Sequence, residues 1–254
     1  KKINRKEFLI KTAMGGAVLL APHLAISKSK SHASTIFPKA LKQGDLIAIT
    51  APAGAVFDKD EIEQFSSMWI ALGFDVLIGD TLYKQEGYLA GNDQVRAQEL
   101  MSLFQNTKVK AIIAMRGGWG SSRMLEYLDF DIIRNHPKIL MGFSDITALL
   151  LAIYKKTGMI SFHGPVGYSN WEEDLPYYFD HLFVKNQTSL NIQKTEDFRT
   201  LIPGKVTGII VGGNLSVLCH LCGSDYMPDM NGKILFVEET GEEAYRIDRL
   251  LQQL

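Results

Sequence analysis

A serine lying between a buried strand and a helix is the first candidate for chemistry in this chain. Residues 138–147 read Lys-Ile-Leu-Met-Gly-Phe-Ser-Asp-Ile-Thr. Ile139, Leu140 and Met141 form the apolar end of a strand, and Gly142 permits a sharp turn. The apolar-rich run from Ile146 to Tyr154 predicts a helix that starts at once. Ser144 therefore falls on a strand-to-helix turn, where its hydroxyl projects from the backbone. The amide of Asp145 is then close to a helix N-terminus and able to donate to an oxyanion, as in a nucleophile elbow. The pattern is Gly-x-Ser-Asp rather than Gly-x-Ser-x-Gly, and Ser and Asp also cap helices, so these residues alone leave capping open.

Two glycine-bearing loops accompany the serine. Ala51-Pro52-Ala53-Gly54 follows a strand expected at 45–50, and Arg116-Gly117-Gly118-Trp119-Gly120 follows one expected at 109–115. Further strands are expected at 74–78, 138–141 and 159–162, and helices at 60–72, 93–104, 122–128 and 146–154. Alternation of this kind builds βαβ units with a parallel sheet, and the loops at the carboxyl ends of its strands form the site. All three loops fall on that edge. Regularity lapses from Gly167 to Pro203, where Tyr168, Trp171, Tyr177, Tyr178 and Phe179 cluster, which suggests a linker or crossover. A second module follows, with a strand at 205–211, a turn at Gly212-Gly213-Asn214 and a helix from Leu215. A strand at 233–237 leads into Glu238-Glu239, and a last helix spans 248–254.

Composition narrows the function classes. The chain has 254 residues, 46% of them hydrophobic and 22% charged, with a formal net charge of -1, so no polyelectrolyte attraction points to nucleic acid. The two cysteines, Cys219 and Cys222, stand as Cys-x-x-Cys with no second ligand pair, and read as small buried hydrophobes rather than half a metal site. No metal or other cofactor is expected. Lys1, Lys2, Arg5 and Lys6 precede a short apolar run at 13–21, and Ser31-His32-Ala33 resembles a small-x-small cleavage site. Arg5-Lys6-Glu7-Phe8-Leu9 resembles a twin-arginine export motif, so residues 1–33 are read as an export signal. The apolar run is too short to span a bilayer. The expected location is the periplasm or cell envelope; the alternative is a basic tail on a cytoplasmic protein.

An ordered set of motifs then carries a family resemblance across about residues 37–254. It comprises Gly44-Asp45 with Ala51-Pro52-Ala53-Gly54, Arg116-Gly117-Gly118-Trp119-Gly120, and Pro137-Lys138 with Gly142-Phe143-Ser144-Asp145-Ile146-Thr147. His163-Gly164-Pro165, Gly212-Gly213-Asn214-Leu215, Glu238-Glu239 and Tyr245-Arg246-Ile247-Asp248-Arg249-Leu250-Leu251 complete it. In these residues the chain resembles the murein LD-carboxypeptidases, serine peptidases that also include the microcin C self-immunity peptidases.

The resemblance implies an α/β fold with a parallel-sheet N-terminal domain, here 34–167, a crossover at 168–203, and a smaller C-terminal domain from 204. It implies a Ser-His-Glu triad in which Ser144 matches the nucleophile and Glu238 the acid. The amides of Asp145 and Gly118 match the oxyanion hole, with Gly117 the near alternative for the second donor. Arg116, with Gly117, is the expected substrate-binding element, its cation suited to a terminal carboxylate; Arg123 is the other candidate, with structural ion pairing as its plain reading. The implied reaction removes the terminal D-alanine from murein tetrapeptides, and the implied assembly is a homodimer. Hydrolysis of a peptidyl-nucleotide antibiotic and non-catalytic murein binding are the alternatives. The family's triad histidine lies beyond the Tyr-x-Ile-Asp-Arg segment, a position that none of the six histidines here occupies. The expectation is therefore of a C-terminal domain that is incomplete as given, and of a fragment with little activity by itself.

Overall fold

The computed structural model describes residues 35–169, 179–185 and 198–254. The expected export signal lies outside these residues, as do Trp171, Tyr177 and Tyr178 of the crossover.

Short β-rich apolar runs make the central sheet. Its five parallel strands are β1 (Leu46–Thr50), β2 (Asp75–Ile78), β3 (Val109–Ala114), β4 (Ile139–Gly142) and β5 (Phe162–His163), in the order β2-β1-β3-β4-β5. Helices α1 (Asp60–Ala71), α2 (Asp93–Gln105), α3 (Phe130–Asn135) and α4 (Thr147–Thr157) alternate with them. Both faces of the sheet are covered, which explains why its strands are apolar throughout rather than alternating. Ile47, Ile49, Ile113 and Met141 pack with Phe65 and Trp69 of α1. Ala48, Ile112 and Leu140 pack on the other face with Leu100 and Phe104 of α2 and Leu149 and Ile153 of α4. Successive residues of one strand thus enter opposite cores, as the pleat requires.

Local signals fix the helix ends. The Asn92 side chain accepts from the Val95 amide at 2.9 Å to start α2. Asp129 Oδ1 accepts from the Asp131 and Ile132 amides at 2.9 and 3.0 Å to start α3. Gly158 ends α4 at φ +79°, the left-handed stop that glycine adopts without strain. The strand order places the change of winding direction between β1 and β3, so the loops after those strands part and leave a crevice at their carboxyl ends.

A second, two-stranded parallel sheet pairs β6 (Ile210–Asn214) with β7 (Ile234–Glu238), placing Gly212 opposite Phe236 and Asn214 opposite Glu238. Helix α5 (Leu215–His220) follows β6 and α6 (Ala244–Gln253) follows β7. Here the structure corrects the reading of Gly212-Gly213-Asn214 as a turn: all three lie in β6. The glycines serve close approach instead. A Cβ on Gly212 would stand 1.7 Å from the Phe236 carbonyl oxygen, and one on Gly213 2.5 Å from Thr147 Oγ1. Their φ angles, +151° and +144°, are also ones that other residues rarely adopt. Two other expectations shift. Helix α6 begins at Ala244 rather than 248, and residue 159 bridges Ile36 while the strand expected at 159–162 is only Phe162–His163.

Candidate active site

The elbow is real and strained. Ser144 has φ +58°, and among the described residues no other non-glycine has a positive φ. A serine held there needs surroundings that leave no alternative. Gly142 supplies one condition: a Cβ at that position would lie 2.4 Å from Ile146 Cγ2, so only glycine lets the chain fold back this tightly. A single 3-10 turn at Ser144–Ile146 then leads into α4, and the Ile146 amide closes on the Phe143 carbonyl at 3.2 Å.

The glycine loop after β3 lies directly against the elbow. A Cβ on Gly117 would fall 2.9 Å from the Phe143 carbonyl oxygen, 3.0 Å from Ser144 Cβ and 3.2 Å from the Asp145 nitrogen. Gly118 is exposed, with φ +107°. The loop after β1 joins them, because the Gly54 amide donates to the Gly117 carbonyl at 3.1 Å. The convergence of three loops expected from the sequence is thus present. It brings Ser144, Asp145 and Gly117 together, while Gly118, next along the loop, packs on Gly54.

Asp145 does more than offer its amide. Its carboxylate is buried and accepts from the Ser121 amide at 2.7 Å through Oδ2, while Ser121 Oγ donates to the Asp145 carbonyl at 2.5 Å. Burial pushes the carboxyl pKa up, and the Ser121 hydrogen bonds oppose the rise. These bonds clamp the end of the glycine loop to the residue after Ser144.

Arg96, which the sequence reading passed over, ties the loops after β1 and β3 to the segment that leads into α2. Its guanidinium is fully buried and paired with Asp93. It donates to the carbonyls of Gly91 at 3.1 Å, Pro52 at 2.7 Å and Gly120 at 2.9 Å. Three loops therefore share one planar cation whose fork geometry matches several acceptors at once. Its only sequence signal was an arginine on the buried face of a helix.

The two arginines proposed for substrate differ. Arg123 pairs with Asp93 at 2.8 Å, the structural reading. Arg116 donates to the Ala55 carbonyl at 2.8 Å, and its guanidinium stands 4.9 Å from the centre of the Tyr168 ring and 5.9 Å from that of Phe57. It is half-buried and forms no ion pair among the described residues, which leaves its charge available beside the glycine loop.

The β6–β7 sheet docks on this edge. The Asn214 amide donates to Thr147 Oγ1 at 2.9 Å, so the first residue of α4 holds the end of β6, which in turn is registered with Glu238. The two successive glutamates part company. Glu239 accepts from Asn214 Nδ2 at 3.1 Å, the Ser216 amide at 2.9 Å and Ser216 Oγ at 2.5 Å, thereby sealing the start of α5; these bonds hold its pKa down against burial. Glu238 Oε1 instead lies 3.6 Å from His163 Nε2, and burial raises the Glu238 pKa. Neither ring nitrogen of His163 has a hydrogen-bond partner, so His163 does not hold the Ser144 hydroxyl. Its ring is wedged between Phe143 and Phe236, and burial lowers its pKa to about 4.

Cys219 is buried but Cys222 only partly so. His220, the last residue of α5, is exposed and meets the Trp119 ring edge-on at 5.4 Å. A cavity of about 510 Å³ lies between β5 and the β6–β7 pair, lined by Met141, Phe162, His163, Ile210 and Phe236 among others. Ser144 does not line it, so this apolar space is not the crevice above the elbow.

The edge of this doubly covered parallel sheet thus carries a serine on a strained strand-to-helix turn beside a glycine loop, the arrangement of a nucleophile elbow. Comparison with known proteins agrees. Residues 47–164 match the LD-carboxypeptidase N-terminal domain and residues 207–254 the LD-carboxypeptidase C-terminal domain. A probable murein peptide carboxypeptidase of Bacillus subtilis is 38% identical over 222 residues, covering 85% of this chain and 69% of that protein. The crystal structure of an MccF-like protein from Bacillus anthracis superposes with a TM-score of 0.78 at 32% identity, covering 86% of this chain and 75% of that one. A muramoyltetrapeptide carboxypeptidase from Oxalobacter formigenes gives a TM-score of 0.71, also at 32% identity, over 82% and 70% of the two chains. The chain belongs to the LD-carboxypeptidase family of serine peptidases.

Proposed function

We propose that this protein is a serine LD-carboxypeptidase that releases the terminal D-alanine of murein tetrapeptides. The observation that carries the proposal is Ser144 at φ +58°, with Gly117 packed against it and against the Asp145 amide nitrogen. In this mechanism Ser144 Oγ attacks the peptide carbonyl and the amides of Asp145 and Gly118 receive the oxyanion. A histidine takes the serine proton and returns it to the departing D-alanine amine, while Glu238 holds the imidazole tautomer. Water then releases the acyl-enzyme. Family resemblance supplies that histidine from the sequence that follows Leu251 in its members. Arg116 receives the free carboxylate of the substrate, since an unpaired guanidinium between two aromatic rings suits a planar anion. The basic start and short apolar run before residue 34 support export to the cell envelope, where such a substrate occurs.

Product analysis tests the reading. The whole protein, incubated with murein tetrapeptide in the presence of a chelator, is expected to yield tripeptide and free D-alanine. Loss of activity with chelator that zinc restores would contradict a serine mechanism. Cleavage of a peptidyl nucleotide with no action on tetrapeptide would reassign the substrate to the self-immunity class. Binding of muropeptide without any product would leave a binding protein.

A further inference from the structure

His163 is a buried titratable group that the proposed mechanism does not use. It ends β5, and its backbone is registered with Gly142, two residues before the nucleophile. Its Nε2 lies 3.6 Å from Glu238 Oε1, just beyond hydrogen-bond length. Nδ1 and Nε2 of His163 and Oε1 of Glu238 are all buried and all lack hydrogen-bond partners. Three unmet polar atoms in one contact are unusual, since buried polar groups are almost always paired. Closing the gap by well under an ångström would pair two of them.

We propose that His163 is a positioning residue for the triad acid: its Nε2–H donates to Glu238 Oε1 and leaves Oε2 to orient the catalytic histidine. This rests on the reading of Glu238 as the triad carboxylate. The other groups around the pair fit the assignment. Phe143 of the elbow and Phe236 of β7 contact the imidazole ring, and neither carries charge. Glu239, the neighbouring carboxylate, is occupied by Asn214 and Ser216. Asn214 also hydrogen-bonds the Glu238 carboxylate but leaves Oε1 unmet, so among the described residues His163 is the available donor for Oε1. The low proton affinity of the ring keeps it neutral at pH 7, so it offers one N–H without adding a charge. A carboxylate held through one oxygen is fixed in orientation, which is what a tautomer-setting partner requires.

Two substitutions separate donation from packing. His163→Gln keeps an N–H donor but loses the ring; His163→Phe keeps the ring between Phe143 and Phe236 but loses the donor. Turnover of muropeptide by the whole protein is expected to fall about ten- to a hundred-fold in His163→Phe with KM within twofold, the worth of a hydrogen bond to a charged group. His163→Gln should recover most of that kcat. A Phe variant equal to or better than the Gln variant, or a loss confined to KM, would overturn the proposal in favour of packing. A second measurement needs no variant: histidine ¹⁵N NMR of the wild-type protein should show His163 as the neutral Nε2–H tautomer between pH 6 and 8, and the Nδ1–H tautomer would overturn the proposal. Absence of any carboxypeptidase activity in wild type would sink the reading of Glu238, whereas the tautomer still reports on the His163 contact itself.

Discussion

At the scale of single residues, Glu238 and Glu239 are chemically identical neighbours that the fold sends to different tasks. Glu238 faces His163 across 3.6 Å and has an unpartnered oxygen. Glu239 is consumed by hydrogen bonds to Asn214 and Ser216 at the start of α5. Glu238→Gln should therefore keep the protein folded and reduce kcat by about 10⁴, the loss seen when a serine-protease triad acid becomes an amide. Glu239→Gln should instead lower stability by roughly 1 kcal/mol, the cost of weakening hydrogen bonds to a partly buried acceptor, with kcat near wild type. Thermal melts and steady-state kinetics of the two variants decide this. Equal losses of kcat, or a larger one at Glu239, would mean that the acid has been assigned to the wrong residue.

Elements rather than residues make the elbow possible, and they do so through absent side chains. Gly142→Ala puts a methyl group 2.4 Å from Ile146 Cγ2 at the foot of the turn. Relief requires moving either the branched side chain or the nucleophile, so the variant should lose about 1–3 kcal/mol and turn over more slowly. Gly213→Ala meets Thr147 Oγ1 at 2.5 Å and would prise β6 from α4, with a comparable fall in the melting midpoint. A Gly213→Ala protein that melts with wild type would show that the β6 contact at Thr147 is dispensable.

What was legible in the sequence follows the same division. The serine elbow was readable because a local pattern, strand then glycine then serine then helix, determines it. The parallel sheet was readable from short apolar runs that alternate with segments of helical periodicity. Gly212-Gly213 was misread because adjacent glycines signal a turn and a close strand approach equally, and only the Phe236 and Thr147 partners distinguish them. Helix α3 escaped notice because six residues give less than two turns of periodicity; its signal was the Asp129 cap. Arg96 and the His163–Glu238 contact were invisible for another reason. The partners that matter lie far along the chain: Gly120 and Pro52 are 24 and 44 residues from Arg96, and 163 and 238 differ by 75.

On the scale of the whole molecule, stability and the site are linked through protonation. His163 is neutral in the fold, with a pKa near 4 against 6.5 for the free side chain, because burial disfavours its charge. As pH falls from 6.5 towards 4 the unfolded chain takes up this proton before the native one does, so stability is lost across that window. The shift corresponds to roughly 3 kcal/mol at most. Melting temperature against pH should be visibly steeper in wild type than in His163→Gln between pH 4 and 6.5. Parallel curves would show that the ring is solvated in solution.

Ser144→Ala in the whole protein tests the central claim most directly. Removing one oxygen at φ +58° leaves the loops and their hydrogen bonds in place, so the melt should change little while release of D-alanine from tetrapeptide falls by several orders of magnitude. A folded alanine variant that keeps a tenth of wild-type turnover would show that Ser144 is only a turn residue and that the nucleophile lies elsewhere.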